Sequence, residues 1–175
     1  MDISREFLIE RKKNVFDYIL MGLLCLGAIF ATIALAGFLI LQLYGMFAAL
    51  AIFGIWFLVY YFISSRHIEY EYCVSAGEMD VDTVIGKKRR KHIVTVNIKD
   101  ADIIAPATVE YHNQYEKEGI TEKINATSGE GSALDFFIIF NDEKGNLARL
   151  VFTPNKDIIE AIKMYNPRNT FLPEE

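Results

Sequence analysis

Five consecutive basic side chains, Lys87, Lys88, Arg89, Arg90 and Lys91, follow Gly86 in a 175-residue chain of formal net charge −5. A run of fixed positive charge does one kind of chemistry. It holds anions: nucleic-acid phosphates, an acidic protein, or the headgroups of an anionic bilayer. A solvated turn can look the same. Other reactive residue types are sparse. His67, His92 and His112 share no helical or hairpin spacing that would converge on a metal. Cys25 and Cys73 form no CxxC and lie in different surroundings, an apolar run and a strand-like segment. Neither zinc nor a disulfide is therefore expected, and both cysteines read as small core residues. Asp80 and Asp82 share a strand face, as an acid–base pair would, but the pattern is that of solubilising charge. Asn125-Ala126-Thr127 is a glycosylation sequon that reads as chance. There is no glycine-rich phosphate loop, nucleophile elbow or HExxH. No catalytic residue, metal or cofactor is expected, and the chain reads as non-enzymatic.

What positions the basic run begins upstream. From Tyr18 to Ser65 there is no Asp, Glu, Lys, Arg or His. A removable signal peptide has an apolar core of about 7–15 residues, far shorter than this. One helix is also too little, because about 20 residues already cross a ~30 Å hydrocarbon core. Two spans fit, near 18–41 and 46–63, with a tight hairpin at Gln42-Leu43-Tyr44-Gly45. Arg5, Arg11, Lys12 and Lys13 precede the first span, Arg66 follows the second, and the hairpin tip carries no Lys or Arg. The positive-inside tendency puts both termini in the cytoplasm of a multi-pass membrane protein. Phe16, Tyr18, Tyr44, Tyr60 and Tyr61 fit as interfacial anchors.

The spans carry no ionisable side chain, which disfavours a pore, a proton relay or a transporter. They do carry small residues: Gly27, Ala28, Ala31, Thr32 and Ala36 in the first, Ala48, Ala51 and Gly54 in the second. Such faces let helices approach closely in lipid. Packing within the hairpin is the plain reading. Homodimerisation or contact with a membrane protein partner is the other.

After Arg66 the apolar period becomes two. Ile68, Tyr70, Tyr72 and Val74 oppose Glu69 and Glu71; after Ala76-Gly77, Met79, Val81, Thr83 and Ile85 oppose Glu78, Asp80 and Asp82. A third strand over His92–Ile98 points Val94, Val96 and Ile98 inward, completing a β-meander. Residues 100–106 read as an irregular or short helical connection. A polar insert follows over 108–132, with one short strand near Lys123–Ser128; its Tyr111 and Tyr115 are candidates for reaching a partner. Ala133–Phe140 and Leu147–Thr153 form a hairpin around Asp142–Asn146. Thr153-Pro154-Asn155 then caps a helix with Pro in its first position, whose apolar stripe is Ile158, Ile159, Ile162 and Tyr165.

The phrases YEYCVSAGEMDVDTVIGKKRRK and LVFTPNKDIIEAIKMYNP carry a resemblance over residues 66–170 to a bacterial pleckstrin-homology-like (PH-like) domain. The whole chain resembles small two-span membrane proteins of Gram-positive anaerobes. The resemblance implies a fold and a location, and no activity. The expected architecture is a membrane α-helical hairpin plus a β-rich PH-like small barrel capped by a C-terminal α-helix. Residues 1–17 form a cytoplasmic segment, 18–65 the spans, 66–170 the β domain and 171–175 a tail.

If the first two strands stand steeply to the bilayer, one leads away and the other returns. The basic run is then brought back to the membrane, where membrane lipid is the expected partner of Lys87–Lys91. Nucleic acid is not expected, because residues 66–175 hold 14 Lys and Arg against 19 Asp and Glu. The expected function is a membrane-anchored module for lipid-surface or protein interaction. The rivals are an accessory subunit of a larger membrane complex and, less supported, a membrane enzyme.

Overall fold

The computed structural model describes residues 4–40, 45–108, 119–129, 134–142 and 144–172. The chain divides into two units, Lys13–His67 and a second made from both ends, Met1–Lys12 with Ile68–Glu175.

The first unit is a helix pair, α1 (Val15–Ile40) and α2 (Gly45–Ser65). Both are apolar around their whole circumference. Val15–Gly37 and Gly45–Ser65 are long and apolar enough to cross a membrane. Each helix begins a few residues earlier or ends slightly later than the apolar run implies; α1 takes in Asp17 in its first turn. Of the hairpin tip proposed at residues 42–45, 42–44 lie outside the described residues and Gly45 is the first residue of α2.

Among the described residues the second unit has eight strands. β1 (Arg5–Glu10), β2 (Ile68–Ser75), β3 (Glu78–Ile85) and β4 (Arg89–Asn97) form an antiparallel sheet in chain order. β5 (Ile103–Pro106), β6 (Glu122–Ala126), β7 (Phe136–Asn141) and β8 (Leu147–Phe152) form a second, in the order β5-β7-β8-β6. Its β6–β8 pair is parallel. The β-rich unit and its C-terminal helix are as expected, but among the described residues the ladders form two separate sheets and do not close into a barrel. Two findings account for this. Strand β1, from the segment read only as a cytoplasmic N-terminal stretch, takes the free edge of β2, pairing Phe7 with Tyr72. Residues 103–106, read as irregular, are a buried strand that pairs with β7 and not with the meander.

Strand alternation builds the core. Tyr72, Val74, Met79, Val81 and Val96 from the first sheet meet Ile104, Ile138, Phe140, Leu150 and Phe152 from the second. Helix α3 (Lys156–Tyr165) closes this core with Ile158, Ala161 and Ile162. Its cap is Asn155, whose Oδ1 accepts the Ile158 amide at 2.9 Å. Pro154 therefore lies before the cap and not in the first helical position. Its fixed φ suits the entry, and Asn155 supplies the acceptor that Pro lacks. The second sheet is apolar on both faces. Ile103, Ala105, Phe137 and Ile139 form a separate cluster on its far side with Ile120, Leu147 and Val151.

One buried polar network spans the core. The Tyr72 hydroxyl donates to the Ala126 carbonyl and accepts the Thr153 amide. The Thr153 hydroxyl donates to Asp135 Oδ1 at 2.6 Å and accepts the Ser128 amide at 3.0 Å. Burial pushes the Tyr72 phenol far above its ordinary value, so it remains a protonated donor.

Candidate functional site

The hairpin between β3 and β4 turns through three residues, Gly86, Lys87 and Lys88. Gly86 and Lys87 both have positive φ, 59° and 58°, and the Lys88 amide donates to the Ile85 carbonyl at 3.2 Å. This is the type I′ pattern, whose twist matches that of paired strands. Only Lys87 and Lys88 of the basic run sit at this turn. Arg89, Arg90 and Lys91, read as part of the turn, are the first residues of β4. The correction has a steric cause: the chain has already reversed at Gly86 and Lys87, so the ladder resumes after Lys88, pairing Ile85 with Arg89.

Register places the outer face of the first sheet in three rows across β1 to β4. They are Glu6, Cys73, Asp80 and Thr95; then Leu8, Glu71, Asp82 and His92; then Glu10, Glu69, Val84 and Arg90. A bulge sets the last column. Val81 pairs with Val94 but Asp82 with His92, so Ile93 is the extra residue on β4.

The basic residues are partly neutralised on this face. Lys87 Nζ lies 3.7 Å from Glu10 and 3.6 Å from Glu69, and Arg90 Nη1 lies 3.1 Å from Glu71. Glu69 and Glu71 are each only 5% exposed. Among the described residues no ion pair forms at Lys88, Arg89 or Lys91, which are all exposed. A shallow depression lies between Leu8 and Val84, rimmed by Glu10, Glu69, Lys87, Lys88 and Arg90.

Glu71 is the unusual group. One oxygen meets Arg90, and Oε2 receives no donor among the described residues. Its carboxyl neighbour is Glu6. A hydrogen bond between two carboxyl groups needs a proton on one of them. That bond first, and burial second, hold Glu71 above the usual carboxylate range, against the lowering pull of Arg90.

A second chain of contacts crosses the face. His92 Nδ1 lies 2.9 Å from Asp82 Oδ1, His92 Nε2 lies 3.3 Å from Thr95 Oγ1, and Thr95 donates to Asp80 Oδ1 at 2.6 Å. The order of acid, imidazole and hydroxyl resembles a hydrolytic triad. Here the hydroxyl hydrogen goes to Asp80 and not to the ring, so the chain fastens β3 to β4. Burial, with Asp80 and Glu6 nearby, raises the Cys73 thiol, which stays protonated and unreactive. Among the described residues no three His, Cys, Asp or Glu side chains converge as metal ligands. His112, Tyr111 and Tyr115 lie outside the described residues.

The model of a family described as Bacterial PH-like domain (DUF6106) matches residues 1–172. The chain belongs to that family. The match begins ahead of β1 and runs through both helices, so it is not confined to residues 66–170. No curated protein and no solved structure matches this PH-like protein.

The small-residue faces of the PH-like protein's helices are divided by the structure. Ala28 and Ala48 are buried, and Ala31, Thr32 and Ala36 are half-buried. The Thr32 hydroxyl donates to the Ala28 carbonyl at 2.7 Å and accepts the Trp56 indole N–H at 3.2 Å, linking α1 to α2. Gly27 and Ala51, read as part of the packing face, point outward, and Gly27 and Gly54 have open space where a Cβ would stand. The reason is rotation. The seam of α2 follows Ala48, Ile52, Ile55 and Val59, and Ala51 falls off it. At the charged ends of the pair, Arg66 meets Asp17 at 3.3 Å and Lys13 Nζ donates to His67 Nε2 at 3.1 Å.

Sequence reasoning missed the counter-ions Glu10, Glu69 and Glu71. The alternation of Glu69 and Glu71 with tyrosines marked them as outward-facing but not as neighbours of Lys87 and Arg90. Phe7 and Ile9, opposed to Glu6 and Glu10, were the available signal for β1.

Proposed function

We propose that this PH-like protein is anchored in a membrane by α1 and α2 and presents its β unit to the cytoplasmic surface for lipid or protein interaction, without catalysis. The carrying observation is the position of the basic residues within the β unit. Ile68 pairs with Ile85, so the Gly86–Lys88 turn lies at the end of the sheet where β2 begins. Arg11, just past β1, donates its amide to the Ile68 carbonyl at that same end. Both chain connections to the helices therefore leave beside the basic turn. The β1–β2 ladder adds a topological argument. Strands cannot pair across a bilayer, so residues 5–10 and 68–75 share one side, as two crossings require. The flanking Arg5, Arg11, Lys12, Lys13 and Arg66 support that side being the cytoplasm.

Magnitudes favour surface contact that is modest and adjustable. Each Lys or Arg near an anionic leaflet gains about 1 kcal/mol. An exposed ion pair on the protein contributes about 0–1 kcal/mol. Lipid and the protein's own carboxylates thus compete on similar terms. The test is a protease experiment on cells and on inverted membrane vesicles. The β unit should be shielded in intact cells, accessible in inverted vesicles, and retained in the membrane through alkaline extraction. Release by alkali, or digestion from outside intact cells, overturns the proposal.

A second reading, an accessory subunit of a larger membrane complex, is favoured by one observation. Gly27 and Ala51 lie outside the intrachain seam, so a small-residue surface remains uncovered. Stoichiometric membrane proteins on native co-purification support it; a lone monomer or homodimer opposes it.

A further inference from the structure

Resting on the membrane-surface reading above, we propose that Glu10, Glu69 and Glu71 are built-in counter-ions that mask two of the five basic residues. Contact with anionic lipid then falls to Lys88, Arg89 and Lys91, and loss of charge on the carboxylates strengthens it. The geometry supplies the mask. Lys87 is shared between Glu10 on β1 and Glu69 on β2, and Arg90 reaches over Val84 to Glu71. Two of the three carboxylates are nearly enclosed by the sheet and cannot turn away to solvent, whereas the cations are about two-thirds exposed. The mask is therefore the fixed partner and the basic side chains the movable ones. A negatively charged surface has only to swing a lysine or arginine head through its own side-chain arc.

The groups facing Glu71 give the mask a second control. Glu6 from β1, Arg90 from β4 and Asp82 from β3 all act on it, with Cys73 on its own strand. Three of these are acidic or neutral and one is cationic, so a proton is retained there more readily than on an isolated carboxylate. Acidification of the membrane surface would discharge Glu71 and free Arg90. An anionic bilayer gathers protons at its surface, so the lipid that attracts the basic residues also weakens what holds them back.

The test uses the full chain in lipid nanodiscs of phosphatidylcholine, alone or with phosphatidylglycerol. Acetylation rates of Lys87, Lys88 and Lys91 are read by mass spectrometry, with exposed Lys156 and Lys163 on α3 as references. On neutral discs Lys87 should react several-fold more slowly than Lys88. On anionic discs Lys88 and Lys91 should slow about fivefold relative to the references, the equivalent of one lysine's attraction to such a surface, while Lys87 changes little. In Glu10→Gln/Glu69→Gln, Lys87 should match Lys88 on neutral discs and join the protected group on anionic ones. Glu10→Gln alone, at an exposed position, should produce part of the same shift. Equal rates for Lys88 and Lys91 on both discs overturn the membrane-surface reading itself. Protection of Lys88 and Lys91, with Lys87 protected equally in the wild type and unmoved by either substitution, leaves that reading standing and overturns the mask.

Discussion

Tyr72→Phe tests how the two sheets are held together. The substitution keeps the ring and its edge-on contact with Phe152, at 5.6 Å between centroids, and removes only the hydroxyl. Two buried groups lose their partner, the Ala126 carbonyl and the Thr153 amide, in residues 0% and 3% exposed. A buried polar group left unsatisfied costs about 1–3 kcal/mol. The Thr153 contact is long, at 3.3 Å, and falls in the lower part of that range. The combined loss is about 2–4 kcal/mol, or roughly thirty- to a thousandfold in the equilibrium for opening this region. Amide hydrogen exchange of the full chain in nanodiscs, read by mass spectrometry, measures it. Peptides covering β6 and the end of β8 should exchange faster by that factor, while α1 and α2 remain unchanged. Unaltered exchange in β6 and β8 would falsify the assignment of this hydroxyl as the link between the sheets.

Three further outcomes are expected. Ala76, exposed at φ 55° in the β2–β3 turn, pays the left-handed penalty of a non-glycine residue, and a type I′ turn favours Asn there; Ala76→Asn should raise stability by about 0.5–1 kcal/mol, and a lower unfolding temperature contradicts the turn assignment. Thr32→Val removes the acceptor of the Trp56 indole and should cost about 0.6 kcal/mol, at most about 1.7; because Trp56 is the chain's one tryptophan, a blue shift of its emission reports the change directly, and an unmoved spectrum removes the hydrogen bond from the account. The third outcome concerns Glu71, whose folded-state pKa is raised: the folded chain holds its proton to higher pH than the unfolded chain does. Its contribution to stability is full below the ordinary carboxylate value and is lost as pH rises through the raised one. Wild type should therefore lose stability relative to Glu71→Gln as pH rises above the ordinary carboxylate range, and parallel curves exclude the Glu6–Glu71 pairing.

Local pattern carried the helices and the meander. An uninterrupted uncharged run leaves few alternatives to apolar helices, and Ala76-Gly77 between alternating strands names its own turn. Two strands were hidden for opposite reasons. β5 is buried on both faces, so Ile103-Ile104-Ala105-Pro106 shows no alternation, and its terminal Pro argues against a strand interior. β1 does alternate, but its partner lies beyond two helices, and nothing near Arg5–Glu10 marks so distant a pairing. The same distance concealed half of the candidate site. A basic run is visible in any sequence; that Lys87 meets Glu10 and Glu69 depends on the registers of β1, β2 and β3 together. The bulge at Ile93, which sets His92 opposite Asp82, left no mark in composition or spacing.

The strand that opens the chain has a consequence for biogenesis. β1 leaves the ribosome well before β2 exists, and β2, its sheet neighbour, arrives after both hydrophobic helices have been synthesised. Until then its backbone donors and acceptors must be met by water or by a chaperone. On the membrane-anchored reading proposed above, completion of the first sheet records that the hairpin was inserted with both legs returned to their starting side. A molecule whose second helix failed to insert would strand β1 and β2 in different compartments and leave two unpaired edges, a form that quality-control proteases are suited to remove.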